Sequence, residues 1–302
     1  MSSVRPVTHV PGCSPLAQQA AGEGRAARDI RSGPPPSQCF ALGPSLSRKR
    51  ERGYRAIVLV LLLFAPTVAA ADPREDFLAG RSKQCPGCDL AGVRMKRWDL
   101  AGADLSGANL KSAVLHEANL TGAHLAGADL SGANLNKAEL VRADLSGAKL
   151  SEAMLYGARL DAAKLVRADL SGALMGTARL VRAELGQAKL AGADLRKSRL
   201  DGSVLSGADL AEAALDSAQL RGARLAGASL RDARLTGAEL VAADLAGADL
   251  SDADARGANF RGADLSHAKL TGADFHKADW YDVKLEAAIF GDTTLPDGTI
   301  SP

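Results

Sequence analysis

Leucine recurs at every fifth position over the range Leu100–Leu250, and Met175 is the one exception in that stretch. Alanine stands two residues before these positions over the range Ala103–Ala278, apart from Ser198 and Ser203. A five-residue period matches neither the 3.6-residue period of a helix nor the two-residue period of a strand. On a straight helix, such leucines would rotate by about 140° at each step and could not face one core. The pattern therefore excludes an amphipathic helix.

The period instead fits a chain that turns a corner every five residues. Leucine and alanine, two residues apart, point to the same side of a short extended segment. Glycine often stands two residues after the leucine, as at Gly102 and Gly107, where it supplies the positive φ of a tight turn. Leucine and alanine then form the interior, and the polar residues point outward.

The motif Ala-(Asp/Asn)-Leu-x-Gly, as at 103–107 and 128–132, resembles the pentapeptide-repeat family. The resemblance covers about Cys88 to Ile300. It implies an all-β fold, a right-handed quadrilateral β-helix in which four pentapeptides form a coil of about 20 residues stacked at about 4.8 Å. We therefore expect one solenoid domain of about eleven coils, stabilised by contacts between neighbouring coils.

Three segments precede the repeats. Residues 1–47 are rich in Pro, Gly and Ser and form either a disordered or a wrongly included N-terminal extension. Residues 48–71 run from basic to apolar to small side chains, which predicts a signal peptide cleaved near Ala70 or Ala71. Export to the periplasm or out of the cell follows, with no stable membrane span after cleavage. An uncleaved anchor is the alternative.

Both ends of the rod need caps. In the segment 72–87, Asp72 and Pro73 are a helix-start signal, which predicts a capping helix over 73–83 with Phe77 and Leu78 on the first coil. The β-helix itself spans 88–302 and ends in a C-terminal aromatic cap, where inner positions hold Phe260, Phe275, Trp280 and Phe290. These last coils either plug the end or support a homodimer.

Cys85 and Cys88 are expected to form a disulfide beside the first coil, since export places them in an oxidising compartment. A redox Cys-x-x-Cys site is the alternative, but it calls for a βαβ context that this sequence lacks. A zinc site would need two further ligands.

Catalysis is not expected from this chain. Leucine columns fill the interior, the outer faces are flat, and small-molecule sites are concave. The sequence holds no nucleophile elbow, Walker loop or metalloprotease helix. His124 falls between Asp104 and Asp144 at 20-residue spacing, which we interpret as a solvated ladder. We predict no catalytic residue, no cofactor and no metal.

Residues 20 apart form outer columns, and one column alternates in charge: Asp129, Lys149, Asp169, Lys189 and Asp209. Opposite charges at strand spacing stabilise each other by about 0.2–1 kcal/mol per pair, so we expect this face to be self-satisfied and structural.

Two columns depart from this regularity. Arg159, Arg179 and Arg199 repeat one charge, which indicates either an anion-binding face or a solvated stripe screened by salt. A second column holds Val114, Met154 and Leu174, with Tyr156 beside it. This apolar strip marks either a protein contact or tolerated drift in a redundant array.

These features favour a non-enzymatic, exported structural or protein-interaction scaffold whose partner is a protein or a cell-envelope component, and not a nucleic acid. The alternative is a DNA-mimic inhibitor of a topoisomerase such as gyrase, which the family resemblance suggests. From Ala71 onward the chain has 28 basic and 32 acidic residues, whereas duplex DNA carries one negative charge per about 1.7 Å. The weak net charge and the export signal both argue against mimicry.

Overall fold

A computed structural model of the protein describes residues 72–302. The predicted extension at 1–47 and signal peptide at 48–71 lie outside the described residues. No helix within 72–302 is long and apolar enough to cross a bilayer.

The chain in this range is a four-sided solenoid. Parallel bridges join residues 20 apart, which confirms four pentapeptides per coil. We number the faces by their columns of bridged residues: face 1 is Gln84–Lys284, face 2 is Asp89–Ile289, face 3 is Arg94–Thr294 and face 4 is Asp99–Asp279. Each coil contributes a single bridged residue to each face, so these bridges lie outside any longer strand.

One coil shows how the repeats stack. The Leu105 N–H donates to the His124 carbonyl of the next coil (2.8 Å), and the His124 N–H donates back to the Ala103 carbonyl (2.9 Å). The Ala108 N–H then closes the corner on the Leu105 carbonyl (3.1 Å), with Gly107 between them at a φ of 62°. Positive φ at the third residue is the geometry of a type II turn.

Glycine supplies the positive φ at some of the corners but not at all of them. Arg142 (56°), Ala162 (54°) and Ala242 (53°) also adopt the left-handed conformation at this position. Non-glycine residues reach this region at a cost of roughly 1–2 kcal/mol. The stacking of neighbouring coils therefore imposes the corner even where the local sequence opposes it.

The interior is a continuous column of leucine and alanine. Leucines from Leu105 to Leu250 are fully buried or nearly so, and Met175 takes the same inner position. Ser198 and Ser203 replace alanine and are also fully buried. Their hydroxyls donate to the carbonyls of Leu195 (2.6 Å) and Leu200 (2.8 Å), so neither polar group is left unsatisfied.

The N-terminal end is closed by helix α1, Pro73–Leu78. Asp72 is its N-cap, as expected, and its carboxylate accepts from the Arg74 N–H (2.9 Å). The prediction that the helix continues to Lys83 is wrong. Gly80 adopts a φ of 71°, and the Arg81 N–H donates back to the Asp76 carbonyl (2.8 Å), which is the Schellman arrangement that ends a helix.

Helix α1 covers the first coil through Phe77, whose side chain is 2% exposed. Its ring lies 6.3 Å from the ring of Trp98, which occupies an alanine position. Leu78 packs against the same core and is partly buried. The predicted apolar seal at this end is thus confirmed.

The C-terminal end is closed less completely. Phe260 and Phe275 are fully buried, as expected for inner positions, and their rings lie 5.5 Å apart. Ile300 does not continue the inner column, since it is 67% exposed and pairs antiparallel with Thr294. The chain folds back here because the turn at 296–298 reverses its direction: the Leu295 N–H donates to the Thr299 carbonyl (2.7 Å).

Candidate interaction faces

Face 2 holds the column of alternating charge, but its ion pairs are sparse. Among the five predicted residues, the structure of 72–302 forms one pair, Lys149 with Asp129 at 3.9 Å. The Asp129 and Asp169 carboxylates instead accept from the N–H groups of Ser131 (3.2 Å) and Ser171 (3.1 Å) in the following corner. The expected cross-coil charge pairing is therefore found at Lys149 and Asp129 but not along the rest of these five residues, where local hydrogen bonds hold the aspartates.

The same local bonding shifts proton affinities on face 1. The Ser106 hydroxyl (2.7 Å) and N–H (3.0 Å) both donate to the Asp104 carboxylate, and these bonds lower the pKa of Asp104. Hydrogen bonding from Ser146 likewise lowers the pKa of Asp144. His124 is bridged to both aspartates, as predicted.

The arginine column of face 4 is placed as predicted, and each arginine lies near a carboxylate. Arg159 Nη1 lies 3.1 Å from Glu139 Oε2, and Arg179 Nε lies 3.3 Å from Asp161 Oδ2. Arg199 pairs with a further acid, Asp201 Oδ2, at 3.6 Å. The column itself is therefore largely neutralised.

Positive charge persists at the corners that flank face 4. Lys137 and Lys197 lie at the corner between faces 3 and 4, and Arg142 and Arg182 lie at the corner beyond face 4. Within the described chain, none of these four cations has a carboxylate oxygen within 4.0 Å. The excess charge thus lies beside the arginine column and not on it.

The apolar strip of face 3 is shorter than its sequence suggests. Met154 and Leu174 are bridged to each other, but Asn134 separates Val114 from them. Leu174 is 49% exposed, while Val114 and Met154 are partly buried. The continuous apolar surface therefore consists of Met154, Leu174 and the neighbouring Tyr156, which is 55% exposed.

A groove lies at the corner between faces 3 and 4, and we call it the corner groove. It has a volume of about 230 Å³ and is lined by Tyr156, Gly176, Thr177, Asp194, Arg196 and Lys197. It falls on the same coils as Leu174 and as the arginine column. The groove therefore lies between the two departures that the sequence placed on separate faces, although neither Leu174 nor the arginine column lines it.

The wall of the corner groove formed by the coil of Asp194 is held rigidly. Arg196 donates to Asp194 through Nε (2.8 Å) and Nη2 (2.7 Å). This bidentate contact lowers the pKa of Asp194. On the other side, the Tyr156 N–H donates to the Asn136 side-chain oxygen (2.8 Å), which fixes the backbone that carries the aromatic ring.

Of the six residues that line the corner groove, sequence reasoning identified Tyr156 and missed Gly176, Thr177, Asp194, Arg196 and Lys197. Gly176 is the most informative of the missed residues. It stands at the first corner position, where the backbone does not take a positive φ, and it is buried. Its signal was present in the sequence, because the other glycines of the regular repeats mostly occupy the second corner position. A glycine at the first position indicates a requirement for space and not for backbone freedom.

A larger cavity lies at the C-terminal end. It has a volume of about 500 Å³ and is lined by Trp280, Leu285, Phe290, Leu295, Pro296, Asp297 and Ser301. Trp280 packs on Phe275 with its ring 4.7 Å away. Its buried indole N–H has no acceptor among the described residues. This end therefore presents aromatic side chains that the chain itself leaves partly uncovered.

Cys85 and Cys88 lie together at the first corner. Cys85 occupies a leucine position and is fully buried, and the Cys88 N–H donates to the Cys85 carbonyl (3.3 Å). Their Cα atoms are 5.4 Å apart and their sulfur atoms lie within bonding distance, a separation that suits a disulfide. Over residues 72–302, no three His, Cys, Asp or Glu side chains converge to hold a metal ion.

Comparison with known proteins places these features in context. A family model described as pentapeptide repeats matches in eight copies, at residues 86–116, 113–152, 138–175, 178–215, 213–252 and 243–279. A search of curated proteins finds no match.

Several solved structures are similar. HetL, a pentapeptide repeat protein involved in heterocyst differentiation regulation from the cyanobacterium Nostoc, is 34% identical over 77% of this chain and 99% of its own, with a TM-score of 0.54. A pentapeptide repeat protein of the Arabidopsis thaliana thylakoid lumen is 39% identical over 32% of this chain and 70% of its own, with a TM-score of 0.27. QnrB1, a plasmid-mediated fluoroquinolone resistance protein, is 17% identical over 68% of this chain and 93% of its own, with a TM-score of 0.33.

Proposed function

The chain belongs to the pentapeptide-repeat family, and on that premise we propose that it is a non-enzymatic scaffold whose outer surface binds a protein or cell-envelope partner. The observation that carries this proposal is the corner groove, with exposed Leu174 and Tyr156 beside it. Large apolar side chains on the outside of an otherwise polar surface are typical of interaction sites.

The filled interior supports a binding role over catalysis. Leucine and alanine occupy the space inside the coils and are fully buried, whereas enzymes need a concave site with converging polar groups. HetL, which is 34% identical over 77% of this chain, is involved in the regulation of heterocyst differentiation, and a regulatory role is compatible with partner binding. We also assign the solenoid the right-handed sense that its family implies.

Export completes the proposal. The signal-peptide pattern of 48–71 directs the chain to the periplasm or out of the cell. A disulfide between Cys85 and Cys88 would then staple the first corner. The separation of their Cα atoms, 5.4 Å, supports this pairing, and an oxidising compartment would maintain it.

Self-association through the C-terminal coils is the second contact that we propose. The apolar cavity near Trp280 and the exposed ring of Tyr281 supply a surface that a second copy could cover. Arg261 lies over the Tyr281 ring at 4.7 Å, which holds that ring at the edge of the surface. Sedimentation of wild type and Tyr281→Asp tests this: loss of a dimer supports it, and a monomeric wild type excludes it.

A DNA-mimic inhibitor of gyrase is the weaker proposal. The region 142–199 holds 11 basic and 6 acidic residues, so its charge opposes that of DNA. Mimicry requires a sustained negative surface, because DNA carries about 30 charges over 50 Å. A DNA supercoiling assay separates the two functions, and inhibition at stoichiometric levels would favour mimicry.

Affinity capture from the cell envelope tests the scaffold function directly. We expect wild type to retain a defined partner, and Leu174→Asp and Arg179→Glu to lose it. Lys189→Glu, on face 2, is the matched control because Lys189 is exposed but lies away from the corner groove. If all four proteins retained the same set, the assignment of this surface would be wrong.

A further inference from the structure

The corner groove exists because Gly176 lacks a side chain. A Cβ atom built on Gly176 would lie 3.3 Å from Cδ2 and 3.5 Å from Cε2 of Tyr156. Other residues at the equivalent position of this corner, Asn136, Tyr156 and Arg196, all carry side chains. Since Gly176 has no positive φ, the backbone does not require glycine there. The missing side chain lets the Tyr156 ring lie against the corner and opens the space beside it.

The groove has the size of a site for one side chain. Its volume of about 230 Å³ is below the roughly 300–1,000 Å³ of small-molecule pockets. The Tyr156 ring and Gly176 form its apolar side, and Leu174 precedes it on the same coil with half of its surface exposed. Aromatic or aliphatic anchors of a partner protein bind in shallow pockets of this kind.

The surroundings of the groove are basic. Face 4 and its two flanking corners carry eight basic and three acidic side chains at these coils, and Asp194 of face 3 adds a fourth acid at the groove. The basic residues are Lys137, Arg142, Arg159, Arg179, Arg182, Arg196, Lys197 and Arg199, and the acids of face 4 and its corners are Glu139, Asp161 and Asp201. The acids pair with arginines, so Lys197 at the groove remains available to a ligand. Complementary charge steers a partner and fixes its register.

We propose that the corner groove binds an acidic protein segment, which inserts one aromatic or aliphatic side chain beside Tyr156 and places carboxylates against Lys197 and the basic corners of face 4. This rests on the proposed function as an interaction scaffold, and it names the chemistry of the partner. The groove would supply the apolar anchor, and the surrounding cations would supply selectivity for acidic sequences.

Faces 3 and 4 of a second copy of this chain are poor occupants. In a second copy, faces 3 and 4 carry the acids Glu239, Asp254 and Asp279. Each of these carboxylates already pairs with an arginine of its own chain: Arg221, Arg256 and Arg261, in that order. A foreign segment whose carboxylates are unpaired complements the groove better, because it loses no existing ion pair on binding.

Peptide selection followed by titration tests the proposal. Phage displaying random 12-residue peptides would be selected on the full-length wild-type protein and counter-selected on Gly176→Ser. We expect enriched peptides to carry one Phe, Tyr, Trp or Leu flanked by Asp or Glu. The most enriched peptide, labelled with fluorescein, would then be titrated by fluorescence anisotropy.

Matched variants make the titration specific. We expect Gly176→Ser to raise the Kd at least tenfold, and Lys197→Glu to raise it at least fivefold at low salt. Gly186→Ser is the control, because Gly186 occupies the same position of another corner, also lacks a positive φ, and has no atom within 3.8 Å of an added Cβ. Its Kd should stay within twofold of wild type.

Several outcomes overturn the proposal: no enrichment, enriched peptides without acidic residues, or equal affinity for wild type and Gly176→Ser. Tighter binding of a fluorescein-labelled single-stranded oligonucleotide with the same dependence on Gly176 would assign the groove to nucleic acid instead. Envelope capture separates this failure from failure of the scaffold function. If wild type and Gly176→Ser retain the same partner, the scaffold function stands and the groove is not its binding site. If wild type retains no partner, the scaffold function is rejected, and the peptide titration still decides whether the groove binds an acidic segment.

Discussion

The interior and the outer surface of the same coils differ in how much variety they contain. From coil to coil the inside repeats leucine and alanine, fully buried, while the outside changes at nearly every step. Leu170 and Leu174, in consecutive repeats, show the contrast, since the first is fully buried and the second is 49% exposed. The inner positions hold the rod together, and the outer positions are free to specify what it binds.

The largest expected effect on stability comes from truncating a leucine inside the coils, compared with truncating a leucine on the outer surface. Leu170→Ala removes a fully buried side chain and should lower the free energy of unfolding by about 2–5 kcal/mol. Leu174→Ala should change it by less than about 0.5 kcal/mol, because the side chain is half exposed. Denaturant unfolding followed by circular dichroism measures both. Equal losses would contradict the division between interior and surface.

Enlarging alanine tests how tightly the interior is filled. Ala173 is fully buried at an inner position, so Ala173→Leu should destabilise the protein by about 1–3 kcal/mol through overpacking. Ala214 lies on face 3 and points outward, so Ala214→Leu should be nearly neutral. Thermal unfolding of the two variants compares them, and a neutral Ala173→Leu would indicate unfilled space inside the coils.

The corners connect the interior to the outer surface. Two opposite substitutions, glycine to alanine and alanine to glycine, test the backbone strain at these corners. Gly247 has a φ of 67° and open space around an added Cβ, so Gly247→Ala should cost about 1 kcal/mol through backbone strain alone. Ala242 has a φ of 53°, and Ala242→Gly should stabilise by about 0.5 kcal/mol, since relief of strain exceeds the added flexibility of the unfolded chain. Urea midpoints of the two variants should shift in opposite directions. Shifts of the same sign would show that corner strain is not the deciding factor.

The smallest effect is expected from proton binding on the outer face. Hydrogen bonds from Ser106 lower the pKa of Asp104 in the folded protein below its ordinary value of 3.8. The stability that this carboxylate contributes is present above pH 3.8 and is lost as the pH falls through the folded-state value. Ser106→Ala should therefore flatten the fall of the melting temperature in acid. Ser206→Ala is the control, because Ser206 occupies the same corner position but has Val204, and not an aspartate, two residues before it. An equal flattening in Ser206→Ala would refute the explanation.

The fold was largely predictable because one physical constraint, the inner leucine, recurs without interruption. The four faces and the 20-residue bridging follow from it together with the family resemblance, whereas the sealing role of Phe77 follows from the helix-start signal at Asp72 and Pro73. The end of helix α1 was mispredicted and the exposure of Ile300 was not anticipated, since each is set by a local reversal, at Gly80 and at 296–298, where the repeat no longer controls the chain.

The candidate site was predictable only in part. Tyr156, Leu174 and the arginine column were identified as departures from the repeat, but the groove between them, which Tyr156 lines, depends on the space beside Gly176. The neutralisation of Arg179 by Asp161 also depends on side-chain geometry across a corner. Sequence spacing predicts which coil and which face a residue belongs to. The shape of a groove depends on side-chain positions, which only the three-dimensional structure gives.

Site-specific photocross-linking in living cells tests the central claim most directly. A benzoylphenylalanine at position 156, which replaces Tyr156 with a ring of similar attachment, would probe the corner groove, and the same residue at position 189 would probe face 2. We expect illumination to produce a discrete protein adduct at position 156 and none at position 189. Equal adducts at both positions, or an adduct at position 189 alone, would contradict the claim that the varied corner and not the regular face carries the function.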